Sequence, residues 1–146
     1  MRAERGVVGG VEVLPFALLL VVGMTLLVLD TWAVVDAKLA ATTAAREGAR
    51  AEVEADVPAA GPATGHRVAL SVYVAMRGRA PRVTVTSSGP GTGRCGVVRY
   101  EVRDRVPTVR LPFVSAFGPA VTVVGRHREP VDRFADGRTG TATCAG

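Results

Sequence analysis

Few residues in this 146-residue chain are placed to do chemistry. Its two histidines, His66 and His127, stand apart, and each adjoins an arginine. Such histidines read as solvated side chains, because catalysis demands a partner within hydrogen-bond reach. The two cysteines are Cys95, in a glycine-rich loop, and Cys144, close to the C-terminus. An extracytoplasmic compartment permits a disulfide between them, while an intermolecular bridge or no bridge stays open. No Cys/His cluster has zinc spacing, so no metal site is expected. There is no G-x-S-x-G, and "GPGTG" (89–93) is a turn composition with no Gly-Lys-Ser/Thr after it. The expectation is a protein that is not an enzyme and carries no cofactor.

One carboxylate raises a chemical question. Glu12 sits at the head of "VLPFALLLVVGMTLLVL" (13–29), which is uncharged and almost wholly apolar. At the edge of a membrane helix a carboxylate must lie at the headgroup level, neutralise or pair. Pro15 fits the first turn of such a helix, where its missing N–H has no intrahelical partner. With "TWAVV" (31–35) the run is long enough to cross, since about 20 residues at 1.5 Å rise match a ~30 Å hydrocarbon core. Trp32 suits the far interface, and Arg2 and Arg5 predict a cytoplasmic N-terminus with the rest outside. A cleaved signal peptide is the competing reading. It wants a shorter core, and Asp30, Trp32 and Asp36 stand where its cleavage region should be.

Nothing stops this helix at Val35. "DAKLAATTAAREGARAEVEAD" (36–56) is dominated by helix formers and holds no proline before Pro58. Glu47 and Arg50 are spaced to pair on one face. Ala41, Ala45 and Gly48 form a small-residue stripe that allows close approach of another element, either a second subunit or the chain's own sheet. A glycine in a helix interior costs about 1 kcal/mol against alanine, so close packing explains Gly48 better than propensity does.

"PAAGPATG" (58–65) reads as a linker. "HRVALSVYVAMRGR" (66–79) alternates like a strand through Val68, Leu70, Val72, Val74 and Met76, yet also fits a helical stripe; its β-branched content leans towards strand. "RVTVTS" (82–87), "VVRYEVRDRV" (97–106) and "AVTVVGRHREPV" (120–131) alternate as strands, with a proline-punctuated apolar excursion at 107–119. The expected fold is therefore α+β: a long N-terminal transmembrane helix continuing into the ectodomain, then a small antiparallel sheet of three or four strands. The expected divisions are a cytoplasmic leader (1–10), a transmembrane helix (11–35), its extracytoplasmic continuation (36–57), a linker (58–65), a mainly β ectodomain (66–135) and a disordered tail (136–146).

Charge is unevenly shared. Residues 1–65 hold five Lys/Arg against eight Asp/Glu, net −3, and residues 66–146 hold thirteen Arg against five acids, net +8. Such a module favours anionic partners, but no recognition helix or aromatic platform for nucleic acid accompanies it. Asn, Gln and Ile are absent and Lys38 is the single lysine, so a GC-rich genome also accounts for much of the arginine.

"ERGVVGGVEVLPFALLL", the apolar run and then "TTAAREGAR" resemble the TadE-like pilus assembly proteins, especially the actinobacterial type. The late "VRYEVRDRVPTV" and "EPVDRF" resemble that family's terminal strands, and the first fifty residues carry most of the match. The resemblance implies a pilin-like minor subunit, or pseudopilin, of a Tad-type pilus or secretion system. Its partners would be other pilin-like subunits, a prepilin peptidase and the Tad assembly machinery at the cytoplasmic membrane. It also implies that Glu12 neutralises a neighbouring subunit's new α-amine during assembly, and that the leader is cut after Gly6, leaving Val7 first. One departure stands out: that cut makes Glu12 the sixth mature residue, where the family has its glutamate fifth. A shifted cut, or an uncleaved anchored assembly factor, would each account for it. A reading of a different kind is an anchored basic module that docks on cell-wall polymer or a partner protein.

Overall fold

A computed structural model describes residues 13–78, 82–89, 93–109, 117–141 and 144 of the chain. Helix α1 runs Val13–Val53, 41 residues, about 60 Å at 1.5 Å per residue. It is long and apolar enough to cross a membrane, the only described helix that is. A short 3-10 turn, Pro58–Ala60, follows, and then helix α2, Gly61–Arg77. Strands β1 (Thr84–Ser88), β2 (Val97–Val109) and β3 (Phe117–Pro130) form one antiparallel sheet in the order β1-β2-β3. The fold is α+β, a long helix followed by a small sheet.

The sheet packs its inner face on the C-terminal half of α1. Val85, Val98, Tyr100, Val102, Val106 and Val123 point inward and are buried, while the alternate residues Arg99, Arg103, Arg105, Arg126 and Arg128 are exposed. This is the wet-face, dry-face alternation of a one-sided antiparallel sheet. Pro107 lies within β2, the central strand, but β1 pairs only with Arg99 to Arg103. At Pro107 the strand has a free edge, so the missing N–H breaks no ladder bond on that side.

Two expectations need correction. Of the two readings left open for 66–79, the lean towards a strand is overturned and the helical one holds as far as Arg77, where α2 ends. Residues 58–65 are not a linker, because α2 already begins at Gly61 and the 3-10 turn precedes it. The reason is which residues the helix buries. Gly61, Gly65, Ala69 and Tyr73 recur every four residues and are its buried face, whereas Val74 and Met76 are exposed. Alternation among large apolar residues pointed to a strand; the side that packs is built from small ones. Pro62 in the first turn and Gly78, left-handed at φ 73° with its N–H on Val74 O, punctuate the helix at either end.

Candidate functional site

The molecule's most unusual feature is the division of α1. No residue from 13 to 36 is buried, and Phe16, Leu14 and Leu19 expose 75%, 67% and 70% of their surface. The polar side chains of this half look after themselves. Thr25 Oγ1 donates to Val21 O and Thr31 Oγ1 to Leu27 O, each at 2.8 Å. Helical hydroxyls bonded one turn back need no outside partner, which suits a hydrocarbon environment.

From Ala37 the character of the helix inverts. Ala37, Ala40, Ala41, Ala44, Ala45 and Ala49 have no exposed surface at all. Ala41, Ala45 and Gly48 are thus used inside the chain, against its own second helix and sheet. At Gly48 an added Cβ would stand 2.8 Å from Ala69 Cβ, 3.0 Å from Gly65 O and 3.1 Å from Tyr100 Cδ1. Gly65 faces Gly48 O and the Tyr100 hydroxyl, and Gly125 of β3 lies on the Ala41 backbone. At these crossings backbone meets backbone, which only glycine permits.

Polar clamps then fasten the helix at two levels. Above, the Tyr100 hydroxyl donates to Glu52 Oε2 at 2.6 Å, and Glu52 is 5% exposed. Below, where α1 leaves the domain, Arg77 Nη1 bonds Asp36 Oδ2 at 2.6 Å. The Tyr73 hydroxyl donates there to Asp104, and Lys38 Nζ to Val124 O. Burial first, and the hydrogen bonds to Asp104 and Glu52 second, hold both tyrosine hydroxyls above the usual tyrosine range. No buried side-chain N or O lacks a partner among the described residues.

The tail is the third fastening, and its described residues, 136–141 and 144, depart from the expectation of a disordered 136–146. Arg138, 8% exposed, donates through Nη2 to Val53 O at 2.6 Å and to Glu52 O and Ala55 O at 3.4 and 3.3 Å. A cation on the last carbonyls of a helix satisfies orphan acceptors and opposes the negative end of its dipole. Arg94 N donates to Thr139 O at 2.8 Å. Cys95 and Cys144 form a disulfide, Cα–Cα 5.4 Å, across 49 positions. A chain end is expected to be poorly ordered unless it is tied down; here covalent and hydrogen-bonded tethers tie it.

Gly6, Val7 and Glu12 lie outside the described residues. The expected Glu47–Arg50 pair is replaced by Arg50–Glu54 at 2.8 Å, one helical turn towards the C-terminus. His66 is exposed on α2, and His127 Nε2 lies 2.8 Å from Glu129 Oε2. No group of three His, Cys, Asp or Glu that could hold a metal occurs among the described residues. Glu101, outward on β2, is bonded by Arg126 and Arg103, which hold its carboxyl below the ordinary range.

Sequence reasoning passed over Glu52, Tyr73, Tyr100, Gly65, Gly125 and Arg138. A signal was there for the tyrosines. They are the chain's only two, and both carry a polar tip on a large apolar body, the type that bonds across a core. Nothing comparable marked Arg138 among the thirteen arginines of the C-terminal half. No protein-family model, no curated protein and no solved structure matches the chain.

Proposed function

We propose that this chain is a non-enzymatic, membrane-anchored TadE-like minor pilin or pseudopilin that acts in assembly of a Tad-type pilus or secretion system. The observation that supports this reading most is the divided helix. A subunit of this kind needs one apolar helical half free to meet lipid or like helices, and one half rigidly joined to a small domain. Here no residue from 13 to 36 is buried, and the helix is clamped to the domain at Asp36 and Glu52. The N-terminus lies in the cytoplasm and the domain outside the cytoplasmic membrane, as Arg2 and Arg5 favour. Compartment chemistry agrees, since the Cys95–Cys144 disulfide suits an oxidising space.

In this reading Glu12 pairs with a neighbouring subunit's freed α-amine. Two opposite charges in low dielectric are tolerated together, whereas either alone is costly. The pairing would also set register between subunits. Glu12→Gln, expressed at normal level, should abolish pilus or secretion assembly while leaving the protein in the membrane. Assembly at the wild-type rate would overturn the role given to Glu12. Intact-mass analysis of membrane-extracted protein decides processing: a chain beginning at Val7 supports cleavage after Gly6, and a full-length chain supports an uncleaved assembly factor.

A further inference from the structure

The outward face of the sheet has no place in subunit anchoring, yet its composition is sharply biased. Strand register sets its rows: Ser88, Arg99 and Arg128; Thr86, Glu101 and Arg126; Thr84, Arg103 and Val124; then Arg105 beside Thr122. Five arginines stand there against one carboxylate. Glu101 engages Arg126 at 2.7 Å and Arg103 besides. Arg99, Arg105 and Arg128 make no ion pair among the described residues.

A genome rich in arginine codons would scatter the residue, but it does not require this placement. Arg99 and Arg128 are direct cross-strand partners, a like-charge juxtaposition that works against the sheet. Both border a depression of about 230 Å³, lined also by Ser88, Glu101 and Arg126, with Tyr100 and His127. Guanidinium forks match phosphate oxygens in bidentate fashion, and the neighbouring serine and threonines add hydroxyl donors.

Orientation narrows the occupant. Tyr100 reaches Glu52 at the end of α1, while Val106 packs on Ala37 fifteen positions earlier. Six strand residues at ~3.3 Å and fifteen helical residues at 1.5 Å both span about 20 Å. Strand β2 therefore runs alongside α1, antiparallel to it. If α1 stands across a bilayer, the arginine face stands upright beside it, and a flat lipid surface meets only its lower edge. An extended polymer can follow its length, with alternate arginines ~6.6 Å apart. The outward rows from Ser88, Arg99 and Arg128 to Arg105 and Thr122 hold no aromatic ring on which bases would stack.

We propose that the outer face of the β1-β2-β3 sheet binds an extended, base-free phosphodiester polymer, with Arg99 and Arg128 as its principal contacts and Arg105 and Arg126 extending the track. The proposal needs the folded domain outside the membrane and does not depend on assembly into a pilus.

The test uses full-length protein in an uncharged detergent, with poly(glycerol phosphate) as the probe. Arg99→Ser/Arg128→Ser should weaken binding by about tenfold or more and flatten its salt dependence. Arg46→Ser/Arg67→Ser removes the same charge from exposed helical positions and should leave binding within about twofold, since remote exposed charges are largely screened. Equal losses in the two double variants would mean unspecific attraction and overturn the proposal. So would tighter binding of oligothymidylate of matched length, or displacement of the polymer by vesicles of phosphatidylcholine and phosphatidylglycerol. Unchanged unfolding midpoints confirm that a loss belongs to the face. Should the sheet variant unfold, Arg105→Ser, compared with Arg46→Ser alone, decides the question in the same way. Failure here leaves the Glu12→Gln assembly experiment untouched.

Discussion

The two halves of α1 reverse the usual distribution of side chains. Its N-terminal half shows leucine, valine and phenylalanine to the outside, whereas its C-terminal half buries alanine and glycine. Both halves are helical, so propensity does not separate them. What separates them is the neighbour each can accept. Bulky apolar side chains make a surface suited to fluid lipid or to interchangeable helices, where no fixed complementarity is needed. Alanines and Gly48 make a surface that only a rigid, closely fitting partner can use, and α2 with its Gly61, Gly65 and Ala69 is that partner. A small domain thereby gains tight packing from side chains that bury little area each; dispersion over many close contacts replaces the burial that large residues supply elsewhere.

The contrast can be broken from the bare side first. Leu20→Arg should cost about 3–4 kcal/mol of membrane insertion, the difference between the two residues at a helix centre. Membrane extraction should release the variant far more readily, while the domain keeps its unfolding midpoint. A midpoint that falls in parallel would mean that the bare half supports the domain after all.

Gly65→Ala probes the other side. Its Cβ would be driven into Gly48 O and the Tyr100 hydroxyl, and overpacking of this kind costs about 1–3 kcal/mol. Thermal unfolding followed by circular dichroism should show the loss with membrane retention unchanged. An equal substitution at Gly23, where nothing lies within 4 Å, should leave the domain's midpoint where it was. If the two glycines respond alike, the close-packing account of the joined half is wrong.

The mildest effect is a pH dependence confined to the joined half. Tyr73 and Tyr100 titrate above the ordinary tyrosine value of 10.0 in the folded state, chiefly because they are buried. The unfolded chain releases these protons first. The stabilisation is therefore complete below about pH 10 and is lost as pH rises through the folded values. The unfolding midpoint should stay level up to about pH 10 and then decline. Tyr100→Phe should lower stability by about 1–3 kcal/mol at neutral pH, because buried Glu52 loses its donor. The same variant should make the alkaline decline shallower. An equally steep decline in Tyr100→Phe would remove Tyr100 from that account.

Much of the architecture is legible in the sequence. The apolar helix of membrane-spanning length, its continuation and the three alternating strands follow from local pattern, because apolar run length, alanine content and period-two burial are properties of short segments. The second helix was not legible in the same way. Its alternation of Val68, Leu70, Val72 and Val74 imitates a strand, and only the proximity of an alanine-rich helix makes Gly61, Gly65, Ala69 and Tyr73 the side worth burying. The tail escaped for a related reason. Arg138 becomes a helix cap only when Val53 O and Ala55 O are brought to it, 83 to 85 positions away.

From the sequence alone came a charge-free apolar run of membrane-spanning length, a helix that continues beyond it, and the segregation of arginine into the C-terminal half. Each rests on the character of consecutive residues. Tertiary structure decided that the stripe of Ala41, Ala45 and Gly48 belongs to the chain's own core, that Cys95 meets Cys144, and that the outward arginines share one face. Those are statements about residues distant in sequence, and only the closing of the sheet and α2 over α1 brings them together.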